Sequence, residues 1–360
     1  MLEKTIEAIE ALDEEAMAAA QAHQERLALP PGSLGRLHEL AVKMAGMTRR
    51  PRPLVQRLAV ITMAGDHGVA AQGVSKFPQE VTREMVANFA RGGAAINVLT
   101  RHVGARLTVV DMGVAGPEMD IDMLDSDSVR FASRRIAPGT RDISKGPAMN
   151  RNQAVQALEA GIRVFMEEKE KGVDAVGTGD MGIANTTPSS AIAAAMLKVS
   201  PGRVVNRGTG IDDAALDNKV QVVARALEVN HPDPTDPIDV LAKVGGYEIG
   251  GIAGVILGAC AHRVPVVVDG FISTAAALVA SAFHPEVKHY LFSGHQSAVE
   301  GHRLMLTALG IEPMIDLGMR LGEGTGAAFG LSILSAASRV ATEMLTFDEA
   351  QVSGPGDDAH

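Results

Sequence analysis

Residues that stack on flat ligands or form cross-links are scarce in this chain. Of 360 residues, none is Trp, two are Tyr and one, at position 260, is Cys. A single cysteine excludes an internal disulfide framework and any Cys-based zinc site. Because Cys260 lies in an Ala/Gly-rich apolar run, it is predicted to be a small core residue. With 17 Met residues in the chain, a flat ligand would be held by Met, Leu and Phe side chains and by backbone.

Basic segments and long apolar runs are also missing. The net charge of −10 argues against non-specific nucleic-acid binding, although small anionic ligands respond only to local fields. The sequence contains no run of about 18 uncharged apolar residues, so no membrane-spanning helix is predicted. The N-terminus, M-L-E-K-T-I-E-A-I-E-A-L, is typical of an acidic amphipathic helix and lacks the basic start of a signal peptide. We therefore expect a soluble cytoplasmic protein without a nucleic-acid or membrane partner.

Size and patterning predict an α/β fold. At 360 residues, with 46% hydrophobic and 21% charged residues, the chain is globular and has room for one large or two moderate domains. Helical patterns open it at residues 5–28 and 34–47, separated by Pro30, Pro31 and Gly32. Apolar runs that predict buried strands cover residues 58–63, 107–110, 173–176, 264–268 and 290–292. Helical patterns between them cover residues 153–169, 189–197 and 274–283. This alternation predicts a parallel sheet, whose ligands bind beyond the carboxyl ends of the strands.

Two stretches fall outside this alternation. Residues 113–150 are weakly periodic, which is typical of a segment that is either functional or partly mobile. The tail S-G-P-G-D-D-A-H, residues 353–360, is predicted to be disordered.

The stretch D-L-G-M-R-L-G-E-G-T-G-A-A-F-G, residues 316–330, carries the clearest chemical signal. Its Glu323 lies between Gly322 and Gly324, and an apolar helical pattern follows at once. Glycines there allow unusual backbone angles and close approach of a ligand, and a helix N-terminus favours a carboxylate anion. Glu323 is therefore either a ligand-facing carboxylate or a helix cap.

A G-x-G-x-x-G motif follows the strand predicted at residues 173–176. It runs from Gly177 to Gly182 and suggests dinucleotide binding. That motif needs an acidic residue about 20 positions later to hold the ribose, and none occurs between Met181 and Ile211. The dehydrogenase hypothesis therefore fails. Backbone N–H groups and the polar run Asn185, Thr186, Thr187 still favour a phosphate or ribose ligand, with simple turn chemistry as the alternative.

Two more glycine-containing loops resemble this one. R-G-T-G, Arg207 to Gly210, opens a helix through Asp212 and Asp213, and Lys219 falls two turns along that helix. S-G-H-Q-S, Ser293 to Ser297, follows another strand. No loop ends in the G-K-[ST] of a P-loop, which argues against ATP binding.

Asp66 and His67 follow the first predicted strand. They suggest a metal site or a proton relay, but their spacing supplies no second pair of ligands. We interpret them as structural or as lining the ligand pocket.

Ten motifs together resemble one family, the nicotinate-nucleotide–dimethylbenzimidazole phosphoribosyltransferases of cobalamin biosynthesis, in family order from about residue 31 to 345. They are P-G-S-L-G-R-L (31–37), D-H-G-V-A (66–70), G-V-S-K-F-P-Q-E-V-T (73–82), R-G-G-A-A-I-N-V-L (91–99), G-P-A-M (146–149), G-D-M-G-I-A-N-T-T (179–187), R-G-T-G-I-D-D (207–213), D-G-F-I-S-T-A-A-A-L (269–278), H-Q-S-A-V-E-G-H (295–302) and G-M-R-L-G-E-G-T-G-A-A (318–328).

The resemblance implies a reaction and an architecture. Nicotinate mononucleotide and 5,6-dimethylbenzimidazole would give α-ribazole 5′-phosphate and nicotinate, with inversion at the anomeric carbon and with no metal or organic cofactor. A large domain with a Rossmann-like parallel sheet flanked by helices would span residues 54–326. A small helical domain would be built from residues 1–53 and 327–352. The resemblance also implies a homodimer.

The family's functional residues carry over by motif. Glu323 would be the single catalytic general base, since the leaving nicotinate is already a pyridinium and needs no general acid, whereas glycosidases typically use two carboxylates. The nucleotide and its phosphate would bind Gly177, Gly179, Asp180, Gly182, Asn185, Thr186, Arg207, Gly208, Thr209, Gly210, Lys219 and Ser297. The attacking base would bind Ser75, Phe77, Pro78, Glu84, Met85 and Met181.

Three departures from the family pattern leave alternatives open. Glu84 in V-T-R-E-M stands where the family commonly has Gln, Asp180 stands where Glu is usual, and Asn206 precedes R-G-T-G. They leave open which lower-ligand base is used: dimethylbenzimidazole, adenine, another benzimidazole or a phenol. The alternative from another class is a non-catalytic nucleotide-binding sensor. For Glu84 itself, the alternative is that it faces solvent or pairs with Lys76 or Arg83.

Overall fold

Six parallel strands form one sheet at the centre of the protein. The structure is a computed structural model that describes residues 1–119, 129–208 and 210–353. The strands are β1 (Leu58–Gly65), β2 (Ala105–Gly113), β3 (Arg130–Ser133), β4 (Ala175–Met181), β5 (Val266–Val268) and β6 (Leu291–Ser293). Every neighbouring pair is parallel, in the order β3-β2-β1-β4-β5-β6. The predicted α/β class is confirmed.

The strand order reverses between β1 and β4. Ligands of open α/β sheets bind in the crevice that such a switch point leaves at the carboxyl ends of the strands. All eight residues of β1 are buried, as expected for a continuous apolar run covered by helices on both faces. The crevice therefore opens after Gly65 on one strand and Met181 on the other.

Helices connect and cover the strands. Those in the described residues are α1 (Leu2–Glu7), α2 (Glu14–Gln24), α3 (Arg36–Thr48), α4 (Glu80–Ala90), α5 (Ala95–Val103), α6 (Arg151–Glu170), α7 (Thr186–Leu197), α8 (Asp213–Asn230), α9 (Pro237–Val244), α10 (Tyr247–Ala261), α11 (Phe271–Phe283), α12 (Glu300–Leu309), α13 (Thr325–Glu343) and α14 (Phe347–Ala350). Helix α10 packs on α6 and against β1, β2 and β4, and α13 packs against β4 and β5. None of the described helices has the length and apolarity that a membrane crossing requires.

Two of the predicted elements differ in kind from those observed. The single helix expected over residues 5–28 is wrong, because Asp13 starts a new helix there: its carboxylate accepts the N–H of Ala16 at 2.8 Å. The glycine-rich turn expected over residues 177–182 is also wrong through Met181, because β4 continues to that residue. Gly179 is needed there for close packing, since a Cβ at this position would lie 2.4 Å from the carbonyl oxygen of Glu323.

The two chain ends meet. Leu27 bridges to Thr346, and the N–H groups of Ala28 and Phe347 donate to the carbonyls of Leu345 and Arg26 at 3.0 and 2.9 Å. Helix α13 packs on α3 but also on α5 and β4. The division into two domains at residues 53 and 326 stays a prediction. Of the weakly periodic stretch, residues 129–150 contain β3, and 120–128 lie outside the described residues, as does the tail from 354.

Candidate active site

A cavity of about 460 Å³ opens at the switch point. Its walls come from the segments after β4, β5 and β6, from the end of the loop before α13, and from residues 74–85. Among the residues predicted for the site, those that line it are Ser75, Phe77, Met85, Asp180, Met181, Gly182, Asn185, Thr186, Gly208, Ser297 and Glu323. Three separate glycine loops therefore contribute to one cavity. Those at residues 177–182 and 293–297 lie at strand ends, as expected, whereas R-G-T-G follows the helix α7 and not a strand.

The other predicted residues do not line this cavity. Gly177 and Gly179 lie in β4 under α13 and its preceding loop, and Lys219 lies behind the wall. Arg207 is paired with Asp213 and donates to the carbonyl of Ile211 at 3.1 Å. Gly210, Pro78 and Glu84 are exposed and do not line the cavity either. Thr209 lies outside the described residues.

Glu323 has a constrained backbone at the cavity floor. Its φ is 65°, between glycines with φ of 86° and 97°. Its N–H donates to the carbonyl of Asp180 at 3.1 Å, and its carbonyl accepts the Thr62 hydroxyl at 2.8 Å. A non-glycine residue in the left-handed region costs energy that the surrounding structure must supply, and such residues cluster at active sites.

The carboxyl group of Glu323 is held in a low-dielectric environment. The residue is 5% exposed, and Oε2 is buried with no hydrogen-bond partner among the described residues. Burial raises the pKa of this carboxyl to about 7, the negative charge of Asp269 adds to the rise, and the N–H of Ile96 opposes it. A carboxylate with that pKa is suited to accept a proton near neutral pH.

Asp269, which was not predicted as a site residue, caps the helix that follows Glu323. Its Oδ1 accepts the N–H groups of Gly326 and Ala327 at 2.6 and 3.0 Å, and its Oδ2 accepts the N–H of Gly324 at 3.1 Å. The helix-cap interpretation of Glu323 is therefore wrong, because Asp269 occupies that position. The sequence signals for Asp269 were its place at the start of the motif D-G-F-I-S-T-A-A-A-L and directly after the β5 run, but its partner Gly324 lies 55 positions away.

Asp180 is a second buried carboxyl on the floor. Its Oδ2 accepts the side-chain amide of Asn185 at 2.9 Å, whereas Oδ1 has no partner among the described residues. Burial, followed by the charge of Asp269, raises the pKa of Asp180 to about 8. Near neutral pH this carboxyl is therefore largely protonated and able to donate a hydrogen bond.

Lys219 is fully buried. It lies behind the part of the cavity lining formed by Thr186, Asn206 and Gly208, which we call the far wall. Its Nζ donates to the Thr186 hydroxyl at 2.6 Å and to the carbonyl of Asn206 at 3.1 Å. Burial lowers the pKa of Lys219 to about 7. Thr186 and Asn206 both line the cavity, so one layer of polar atoms separates the Lys219 amine from it.

Asp66 and His67 lie beneath the site and do not line it. Asp66 accepts the Thr82 hydroxyl and the N–H of Ala115, both at 2.7 Å, and the Thr82 oxygen accepts the N–H of Ile183 at 3.0 Å. His67 Nε2 lies 2.8 Å from a carboxylate oxygen of the buried Glu248. Of the two interpretations left open, the structural one is favoured: Asp66 and Thr82 hold the turn after β4.

The rim of the cavity is apolar. Phe77 and Leu321 line it and are 48% and 57% exposed, and Leu317 nearby in sequence is 63% exposed. Arg320 reaches across the rim and donates to the carbonyl of Gly208 at 3.2 Å. In the part of the chain that the structure describes, no group of three or more His, Cys, Asp or Glu side chains is placed to hold a metal ion.

Comparison with known proteins gives one family. A family model described as phosphoribosyltransferase matches residues 9–352. The chain is 51% and 54% identical to the nicotinate-nucleotide–dimethylbenzimidazole phosphoribosyltransferases of Desulforudis audaxviator and Chloroflexus aggregans, over 98% of each chain. The crystal structure of the enzyme of that name from Thermus thermophilus is similar at a TM-score of 0.88 and 42% identity, covering 96% of this chain and 100% of that one.

Proposed function

Since the chain belongs to the nicotinate-nucleotide–dimethylbenzimidazole phosphoribosyltransferase family, we propose that it converts nicotinate mononucleotide and 5,6-dimethylbenzimidazole to α-ribazole 5′-phosphate and nicotinate. The observation that carries this proposal is Glu323, a buried carboxylate on a strained turn at the floor of a cavity. A sensor that only binds nucleotide has no use for such a group, which costs stability.

The chemistry needs one base. The unprotonated ring nitrogen of the benzimidazole forms a bond to the anomeric carbon while the bond from that carbon to the nicotinate nitrogen breaks. The departing nitrogen takes the electron pair and loses its positive charge, so the leaving group needs no proton. Positive charge develops on the benzimidazole, and Glu323 removes the proton from its other nitrogen. Attack opposite the leaving group inverts the anomeric carbon.

The nucleotide would lie along the wall formed by Thr186, Gly208 and Ser297. Hydroxyl groups and a nearby ammonium complement a phosphate, and Lys219 supplies that charge through Thr186. A bound phosphate dianion favours the protonated form of Lys219, so phosphate binding and protonation of this lysine support each other.

The attacking base would lie on the apolar side. Phe77, Met85 and Met181 line that side, with Ser75 as a polar contact. Methionine side chains adapt to flat rings and make favourable contacts with them. Pro78 and Glu84 are exposed and do not line the cavity, which favours the alternative that Glu84 faces solvent.

Product analysis tests the reaction. Nicotinate mononucleotide is incubated with dimethylbenzimidazole, another benzimidazole, adenine or a phenol, and the products are identified by mass spectrometry. We expect α-ribazole 5′-phosphate and nicotinate in equal amounts. A preferred product with another base would keep the chemistry and change the substrate. Nucleotide binding without release of nicotinate would replace the enzyme by a sensor.

The homodimer follows from the same family and is supported by the exposed Phe77 and Leu321 at the cavity rim and by the exposed Leu317, four residues before Leu321. Light scattering should give twice the chain mass of 37.6 kDa. Leu317→Glu should shift the mass towards one chain, whereas Leu54→Glu, at another exposed leucine, should not. A monomeric wild type would remove this proposal. The cytoplasmic location and the small domain built from the chain ends belong to the same proposal.

A further inference from the structure

A fully buried histidine, His302, stands behind the loop that carries Ser297. It lies in the first turn of α12, and the N–H of Ser297 donates to its Nδ1 at 3.0 Å. Its Nε2 lies 2.9 Å from the Thr274 hydroxyl oxygen, and that hydroxyl donates to the carbonyl of Gly270 at 2.8 Å. Ser297 and Gly270 both line the cavity, so this chain of hydrogen bonds begins and ends at the site.

Only one arrangement of protons fits this chain. A backbone N–H can only donate, so Nδ1 of His302 carries no proton and accepts from Ser297. A neutral imidazole then has its proton on Nε2, which donates to the Thr274 oxygen. The Thr274 proton is left for the carbonyl of Gly270, which can only accept. His302 is therefore held as a single tautomer.

A second proton on His302 has no place. It would set an N–H on Nδ1 against the N–H of Ser297. Burial, and next the nearby His295 with its ring centroid 6.1 Å away, lower the pKa of His302 to about 3. His295 is the titratable group that acts on His302, and Oδ1 of Asp269 lies 4.0 Å from Nε2 of His295. The N-terminal end of α12 also disfavours a cation in its first turn.

The loop therefore has no backbone N–H to offer at Ser297. The flanking N–H groups of Gln296 and Ala298 donate to the carbonyls of Ile315 and Met319 at 2.7 and 3.1 Å, in the segment that leads to Glu323. What remains for a ligand at Ser297 is its hydroxyl group.

We propose that His302 is a positioning residue, a permanently neutral acceptor that holds the Ser297 hydroxyl towards the nucleotide and ties this loop to the segment carrying Glu323. The identity of the ligand rests on the proposed function, whereas the tautomer does not. At residues 296–298, the side-chain hydroxyl of Ser297 replaces the backbone N–H groups that the sequence suggested for phosphate binding.

Nuclear magnetic resonance tests the tautomer on the wild-type protein without any assay of activity. Protein labelled with 15N-histidine is titrated from about pH 5 to pH 9, and the His302 ring is assigned by its loss in His302→Asn. We expect a ring with protonated Nε2 and bare Nδ1 whose shifts do not titrate. A titrating ring, or a proton on Nδ1, would overturn the proposal.

Two variants test the positioning role. Asn places an acceptor oxygen near the position of Nδ1, whereas Gln places its amide near Nε2 and leaves the N–H of Ser297 unpaired. We expect His302→Gln to raise the KM for nicotinate mononucleotide about tenfold, because a buried donor loses its partner. His302→Asn should stay within about threefold, and the KM for the base should change little in either.

Ser338→Ala is the matched control for lost stability, since it removes a buried hydroxyl that bonds Val55 and Ser335 away from the cavity. It should lower the melting temperature and leave both KM values unchanged. Equal effects of Asn and Gln at position 302, or equal changes in the two KM values, would contradict a positioning role. A wild type that neither binds nor converts the nucleotide would instead overturn the proposed function, and the resonance experiment would still decide the tautomer.

Discussion

The floor of the cavity contains two carboxyl groups, those of Glu323 and Asp180, and the amine of Lys219 lies behind the far wall. Burial favours the neutral form of all three groups. On the floor, burial raises the pKa of Glu323 to about 7 and that of Asp180 to about 8. On the far wall, burial lowers the pKa of Lys219 to about 7. Groups with opposite ordinary charges therefore titrate in one pH range. In the proposed reaction this difference gives the floor the exchange of protons with the reacting base and the far wall the binding of the anion.

Removing the base on the floor should have the largest effect. Glu323→Gln keeps the shape of the side chain but cannot accept the proton, so kcat should fall by at least about 100-fold. The nucleotide should still bind, because the far wall is unchanged. Steady-state kinetics and calorimetry with nicotinate mononucleotide measure the two effects.

Glu343→Gln, at the exposed C-terminal end of α13, the helix that follows Glu323, is the control and should leave kcat unchanged. If the turnover of Glu323→Gln were within about tenfold of the wild type, Glu323 would not be the general base. Both the floor and the far wall would then contain only ligand-binding groups.

Removing the cation on the wall should act on binding. Lys219 is fully buried, so Lys219→Met, which keeps much of the volume, is a better test than a truncation. We expect the KM for nicotinate mononucleotide to rise about 10- to 100-fold, since a hydrogen bond to a charged group is lost, and the KM for the base to change little. Equal changes in both constants would separate Lys219 from the nucleotide.

The pH dependence of kcat/KM should report the titration of both Glu323 on the floor and Lys219 behind the far wall. Glu323 must be ionised to accept a proton, so kcat/KM should fall about tenfold per unit as pH drops below 7. Lys219 must be protonated to attract phosphate, so kcat/KM for the nucleotide should also fall above pH 7. Lys219→Met should lose the alkaline limb and keep the acid limb. A variant with both limbs intact would show that another group causes the alkaline fall.

Asp180 should reduce stability at high pH. Its folded pKa of about 8 lies above the ordinary 3.8, so the folded state keeps a proton that the unfolded chain releases. This contribution to stability is present below about pH 4 and is lost as pH rises through 8. Asp180→Asn should therefore raise the melting temperature by a few degrees at about pH 9 and by less at about pH 5. The exposed Asp217→Asn should show no such trend.

The parts of the molecule that were predictable are those recorded in local sequence. Runs such as residues 58–63 predicted strands because both faces of a parallel sheet are apolar, and the glycines around Glu323 marked its turn. Asp269 and His302 were missed as site residues because their partners are distant along the chain or are backbone groups without a sequence signature. The turn predicted at Gly179 fails for the same reason. Its close contact in space, the carbonyl of Glu323, is distant along the chain and leaves no local signal in the sequence.

The smallest effect is expected at Glu84, which belongs neither to the floor nor to the far wall of the cavity. The family commonly has Gln in this position, which predicted a contact with the attacking base, but Glu84 is exposed on α4 and does not line the cavity, whereas the neighbouring Met85 does. An exposed carboxylate keeps its water and gains little from a ligand hydrogen bond. We therefore expect Glu84→Gln to leave the ranking of kcat/KM among the bases unchanged. Met85→Ala should raise the KM for dimethylbenzimidazole severalfold, because it removes apolar surface from the cavity. If Glu84→Gln altered the ranking between bases with and without donor groups, Glu84 would have to reach the ligand in the complex, and the base side would include a charged contact.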